Sequence, residues 1–177
     1  MLIYFDGACE DVNPGGHMGW GIAVVDEETG AVQATSSGYR EAGPETSNNV
    51  AEYLGCSMAL RQAIAAVKAG AESVTIRGDS KLVIEQLNGR WKAREGLYMA
   101  AMREAAGLLL DLRGLCSNVM LEWVPGSENV HADQASRVEL ERRGIRRRER
   151  PSPRPDTPRA RQRHGAATAP VRRPPRR

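Results

Sequence analysis

Four acidic residues carry the chemistry this chain can do, and each falls where the sequence pattern changes from one element to the next. They are Asp6 in Phe5-Asp6-Gly7, Glu52 in Asn48-Asn49-Val50-Ala51-Glu52, Asp79 in Gly78-Asp79-Ser80 and Asp133 in His131-Ala132-Asp133. Carboxylates gathered from separate elements repel one another and lose hydration. Hard divalent cations relieve that repulsion, and carboxylate oxygens suit Mg²⁺ and Mn²⁺. Convergence of the four would therefore make a metal-dependent phosphoryl-transfer site. Singly, Glu52, Asp79 and Asp133 can also be read as helix-start residues. That plainer reading does not account for Asp6.

The elements between them decide whether they meet. Leu2 to Phe5 is a short apolar run ended by Asp6-Gly7, and turn residues follow, including Asn13-Pro14-Gly15-Gly16. Strands are expected over 19–26 and 31–39, joined at Glu28-Thr29-Gly30, which makes an antiparallel meander of three. The period then changes. Thr46-Ser47-Asn48-Asn49 supplies N-cap chemistry for a long helix that ends near Ala69-Gly70, with Leu60, Ile64 and Val67 on its core face. A fourth strand is expected over 73–77 and a helix from Ser80 to Leu87, broken by Asn88-Gly89. A further helix is expected over 98–112 and a fifth strand over 119–124, with Val119, Leu121 and Trp123 alternating. A last helix starts near Asn129. Trp20 and Trp123 read as core aromatics.

The order is βββ-α-β-α-α-β-α. Strands separated by helices pair in parallel through right-handed crossovers, so a mixed five-stranded α/β sheet with helices on both faces is expected. Sites in such sheets lie beyond strand carboxyl ends at a switch point, where Asp79 falls. Glu52 and Asp133 sit in the opening turns of helices. Asp6 joins them if the first strand is central.

Charge divides the chain. Residues 137–177 hold 15 Arg and 4 acids, a net of +11, while residues 1–136 hold 10 basic residues and 18 acids, a net of −8. The boundary implied is a folded domain over 1–141 and a basic tail over 142–177, rich in Arg and Pro and too poor in apolar residues to offset ordering entropy. Such a tail is expected to be disordered and to attract nucleic acid non-specifically. Its alternative reading is an inessential extension. Cys9, Cys56 and Cys116 are three widely spaced thiols with no C-x-x-C pair, which suits buried thiols in a reducing cytosol. No apolar run approaches the ~20 residues of a membrane span, so a cytoplasmic protein without membrane association is expected.

With these motifs in this order, residues 1–141 resemble the type 1 ribonuclease H family. The matching segments are Phe5-Asp6-Gly7-Ala8 with Asn13-Pro14-Gly15, Gly19-Trp20-Gly21, Thr46-Ser47-Asn48-Asn49 with Glu52, Gly78-Asp79-Ser80, and Trp123-Val124-Pro125-Gly126 through Asn129 to Ala132-Asp133. The resemblance implies the βββαβαβα core order of that fold, with Asp6, Glu52, Asp79 and Asp133 as catalytic, metal-binding acids holding two ions, Mg²⁺ or Mn²⁺. It implies hydrolysis of the RNA strand of an RNA–DNA hybrid to 5′-phosphate and 3′-hydroxyl ends. It places Asn13, Asn48 and Asn49 at the nucleic acid and Ser47 near a DNA phosphate. Asn48 and Asn49 can equally be caps.

The chain departs from many relatives in two ways. The loop Pro125-Gly126-Ser127-Glu128 lacks the histidine found there, which looks like the archaeal-type branch, and His131 is not an obvious substitute. Only Gly89-Arg90-Trp91-Lys92-Ala93-Arg94 stands where some bacterial members carry a basic protrusion. Trp91 either stacks on nucleic acid there or covers a helix. A monomer is expected. A catalytically silent hybrid-binding module, or a nuclease of the same fold acting on another nucleic acid, remain the competing functions.

Overall fold

A computed structural model describes residues 1–146. Five strands and four helices follow one another as β1 (Leu2–Glu10), β2 (His17–Val25), β3 (Val32–Arg40), α1 (Asn48–Lys68), β4 (Val74–Gly78), α2 (Lys81–Leu87), α3 (Met99–Leu115), β5 (Val119–Trp123) and α4 (Val130–Arg142). A single 3₁₀ turn over Gly126–Glu128 precedes α4. The sheet order is β3-β2-β1-β4-β5, with β1 antiparallel to β2 and parallel to β4. The expected mixed sheet is therefore present and β1 lies at its centre. The expected tail lies almost wholly outside the described residues; α4 itself runs one residue past the expected domain edge.

β1 is longer than its apolar run implied. Its first half pairs on both sides, but the parallel ladder stops at Phe5↔Gly78 while the antiparallel one continues from Asp6↔Gly21 to Glu10↔His17. Hydrogen bonds to β2 alone hold the second half in the strand, so composition there is free to be polar. Asp6 accordingly lies inside a strand rather than at its end. It is the first residue beyond the point where β4 turns away, and Asp79 is the first residue of that turn.

Helices cover both faces. On one, α1 lies against β1 and β2 and packs on α3; α4 lies on the other, over β2, β1 and β3. Ile3, Phe5, Ile22, Ile76, Tyr53, Leu60 and Leu112 belong to the larger apolar core on the α1 side, and Leu2, Ala23 and Val25 form a smaller cluster. Ser47 caps α1, its Oγ accepting from the Val50 amide at 3.3 Å. Trp123 is not a core residue as the alternation of β5 suggested. It is 46% exposed on an edge strand, with Lys81 Nζ 5.8 Å from its ring and its indole N–H donating to the Asp79 carbonyl. Cys9, Cys56 and Cys116 are buried. Among the described residues no helix is long and apolar enough to cross a membrane.

Two glycines on neighbouring strands admit the two helices. A Cβ on Gly7 would lie 2.2 Å from the Ala51 carbonyl carbon and Glu52 nitrogen of α1. A Cβ on Gly21 would lie 2.5 Å from the backbone of Ala135 and Ser136 in α4. Side chains there would push away the helices that carry Glu52 and Asp133. Gly7→Ala is expected to destabilise the fold by about 2–4 kcal/mol in urea unfolding. Gly107→Ala, on the open face of α3 with nothing within 4 Å, should instead be neutral or stabilising by up to about 1 kcal/mol.

Candidate active site

Asp6, Glu52 and Asp79 come from β1, α1 and the end of β4, and one carboxylate oxygen from each lies within 4.8 Å of the others. All three line one polar cavity of about 340 Å³, together with Gly7, Glu10, Asn13, Asn48, Asn49, Asp133 and Arg137. Asp133 thus shares the cavity but stands outside the tight trio. The structure brings Asn13, Asn48 and Asn49 to the same cavity. Asn13 Oδ1 accepts from the Asn48 amide at 2.9 Å, tying the loop after β1 to the start of α1. Ser47 does not line it and serves as the cap of α1. Trp91 lies elsewhere, half exposed in a surface hollow with Arg90, Lys92, Arg94 and Tyr98.

Burial sets the electrostatics. Asp6 is 6% exposed and its carboxyl is pushed up to about 7, chiefly by loss of hydration; a hydrogen bond from Ser136 opposes this, and Asp79 and Asp133 add repulsion. Glu52 is raised well above the ordinary range by burial first, then by Asp6 and Asp79, with the Asn48 amide opposing. Glu52 Oε2 is buried without a hydrogen-bond partner. A buried acceptor among repelling carboxylates is a place a cation fits: a hard divalent ion would satisfy that oxygen and remove the repulsion together. Asp6, Glu52 and Asp79 could hold one such ion. Asp133 stands close enough to add repulsion at Asp6 but is not part of that group.

Further side chains fix these acids, and the sequence reading had not singled them out. Ser136 Oγ donates to Asp6 Oδ2 at 2.6 Å. Asn129 Nδ2 donates to the Phe5 carbonyl at 2.9 Å and to Asp79 Oδ1 at 3.2 Å, bridging β1 to the end of β4. Arg137 binds Asp133 and Glu10. Burial opposes the Arg137 charge, but its bonds to Asp133 and Glu10 prevail and hold its pKa above the ordinary value. Ser136 and Arg137 follow Asp133 by three and four residues, the helical spacing that shares one face, and that spacing was the available signal. No histidine lines the cavity among the described residues; His131 lines a different hollow, with Leu2, Tyr4 and Arg77.

Comparison with known proteins bears on the family and the fold. Residues 4–138 match the reverse transcriptase-like family. The bifunctional protein Rv2228c of Mycobacterium tuberculosis (strain H37Rv) is 36% identical over 134 residues, covering 76% of this chain and 34% of its own length. The chain thus spans about a third of the curated relatives it matches. The ribonuclease H1 of the archaeon Halobacterium salinarum superposes with a TM-score of 0.64 at 27% identity, covering 80% of this chain and 97% of that one. The N-terminal ribonuclease H domain of Rv2228c gives 0.63 at 28%, with coverage of 81% and 96%. LC11 ribonuclease H1, obtained from compost by a metagenomic approach and here in complex with RNA/DNA hybrid, gives 0.62 at 29%, with coverage of 76% and 91%.

The raised acid has a consequence for stability. Unfolded, Asp6 ionises near its ordinary 3.8; folded, it does so only at about 7. The folded state binds the proton more tightly, so this contribution is fully present below pH 4 and is lost as pH rises through 7. Asp6→Asn should therefore raise the metal-free Tm at pH 8, by on the order of 2 kcal/mol of stability, and change it little at pH 4. Thermal melts across that range measure the difference, and equal effects at both ends would contradict it.

Proposed function

The chain belongs to the reverse transcriptase-like family, and on that premise we propose that it is a metal-dependent endoribonuclease hydrolysing the RNA strand of RNA–DNA hybrids. The observation that carries this reading is the Asp6–Glu52–Asp79 trio, with three carboxylate oxygens within 4.8 Å and Glu52 Oε2 buried and unpartnered. Its structural neighbours include a ribonuclease H1 bound to RNA/DNA hybrid.

Asp6, Glu52, Asp79 and Asp133 are the catalytic acids of the proposal, with Mg²⁺ or Mn²⁺ as cofactor and two ions per site. These acids would hold the ions, which would supply an activated water and charge stabilisation at the leaving 3′ oxygen, with 5′-phosphate and 3′-hydroxyl ends as the expected products. The chain's own part is positioning. Ser136 orients Asp6, and Asn129 ties Asp79 to β1 at the required height. The Trp123 indole N–H holds the Asp79 backbone from the other side. Asn13, Asn48 and Asn49 line the rim and offer neutral donors and acceptors to RNA 2′-hydroxyls, which a hybrid exposes in its wide minor groove. Ser47, at the tip of α1, stands where the helix N-terminus favours a DNA phosphate. Trp91 among Arg90, Lys92 and Arg94 offers a stacking surface on a second patch. Three buried thiols suit a reducing cytoplasm.

Residues 147–177, with 11 Arg and 2 acids, would add a salt-dependent hold on the phosphate backbone. Truncation after Arg146 is expected to weaken hybrid binding and flatten its dependence on salt, with saturated turnover little changed. Identical salt slopes would remove the tail from the mechanism. For the reaction itself, the full chain should cleave the RNA of a labelled hybrid with Mg²⁺ or Mn²⁺, spare single-stranded RNA and duplex DNA, and stop in EDTA. Asp6→Asn and Asp79→Asn should each lower the rate by at least about 10³-fold while hybrid binding persists. Hybrid binding without cleavage by the unaltered chain would identify a recognition module instead.

A further inference from the structure

Arg137 engages two acids at once, and the two engagements differ in kind. Its Nη1 donates to Glu10 Oε1 at 2.7 Å, while Nε and Nη2 both donate to Asp133 Oδ1, at 3.2 and 3.0 Å. The half toward Glu10 is buried, with side-chain exposures of 15% for Arg137 and 9% for Glu10; Asp133 is 38% exposed. A desolvated pair is expensive to break because either partner left alone is a buried charge. An ion pair open to solvent is worth little and exchanges readily. Glu10 therefore fixes the guanidinium to β1, and Asp133 receives what remains of its fork. Both acids line the cavity that holds the trio and both are served by Arg137, but the more open Asp133 is the one a second divalent ion would compete for.

We propose that Arg137, anchored by Glu10, is a positioning residue that latches Asp133. The first divalent ion enters the Asp6–Glu52–Asp79 trio without disturbing it. The second needs Asp133, whose Oδ1 the guanidinium already occupies and whose charge it offsets, so in the absence of nucleic acid the two ions bind with unequal strength. The latch rests on the metal-dependent reading of the site, and deepens it by naming the residue that sets the second ion's affinity. Arg137 bonds to Asp133 and to no member of the trio, and reaches Asp6 only through space, so its removal should act chiefly on the second ion.

Mn²⁺ binding to the full-length, hybrid-free chain tests this, with free ion followed by electron paramagnetic resonance and heats by calorimetry. The unaltered chain should bind one ion tightly and one weakly. Arg137→Gln should tighten the weak ion about fivefold or more and leave the tight one within about twofold. Arg137→Lys, which keeps charge without the planar fork, should fall between. Because Arg137→Gln removes the buried ion pair with Glu10, the double variant Glu10→Gln/Arg137→Gln carries the same expectation if the single one fails to fold; it also leaves net charge unchanged. In an Asp133→Asn background, Arg137→Gln should have no effect on the remaining ion. Second-ion binding that is unchanged or weaker in a folded variant overturns the latch. So does a tightening that survives Asp133→Asn, which would mark a through-space charge effect. A wild-type chain that binds no Mn²⁺ at all overturns the metal-dependent reading and the latch with it.

Discussion

Carboxylates forced together out of water are the constraint around which this structure is arranged. Asp6 and Glu52 are each less than a tenth exposed, and with Asp79 they converge to within 4.8 Å. Left alone, that crowding would drive the acids apart or out to solvent. What prevents it is backbone geometry. β1 continues past the end of its pairing with β4, so Asp6 and Asp79 diverge from a common point, Phe5↔Gly78, and cannot separate without unzipping the sheet. Gly55 of α1 closes the arrangement from above, since a Cβ there would lie 2.5 Å from the Asp6 carbonyl oxygen. The repulsion is held by the core's stability, in the way strained functional sites generally are.

α4 supplies the counterweight on the opposite face. One turn of it presents Asp133, Ser136 and Arg137 toward β1, and the next turn seats Leu140 against Gly19. Because a Cβ on Gly19 would lie 2.1 Å from the Ser136 carbonyl oxygen, the helix has one workable height over the sheet. A shift along its axis would break the Ser136–Asp6 bond and the Arg137–Glu10 pair together. Packing of small residues far from any ligand thus sets site geometry to a fraction of an ångström.

Much of this was legible in the sequence because the acids coincide with punctuation. Asp79 follows a strand-ending glycine, Asp133 sits in the opening turn of α4 while Glu52 lies one step past the opening turn of α1, and the change from period two to helical spacing gave the crossovers that make β1 central. Three things were hidden for identifiable reasons. The second half of β1 is specified by hydrogen bonds to β2 and not by its own apolar content, so Asp6 read as a terminus. Trp123 alternates correctly with Leu121, but alternation says which face a residue occupies, and β5 is an edge strand whose last residue stays half exposed. Asn129 works through a carbonyl on β1 and a carboxylate beyond β4, 124 and 50 residues away in sequence, a relation no local pattern carries. Ser136 and Arg137 were within reach of the helical spacing rule, once Asp133 was taken as the reference.

The same burial that raises Asp6 and Glu52 makes protons and divalent cations competitors for one set of oxygens. Near neutral pH, part of the charge that would hold an ion is cancelled by protons the folded site favours, and Arg137 cancels part of what Asp133 offers. An ion entering the trio would therefore release protons, and its apparent affinity would rise with pH through the region where Asp6 ionises and level off above it. A site of exposed acids would bind the ion over a wider pH range but would scatter in its absence. Here protons on the buried carboxyls and the Arg137 guanidinium offset the repulsion, and the trio stands within 4.8 Å without an ion. Preorganisation of this kind lowers the reorganisation needed when substrate arrives, and its cost is the stability that the metal-free fold gives up as pH rises.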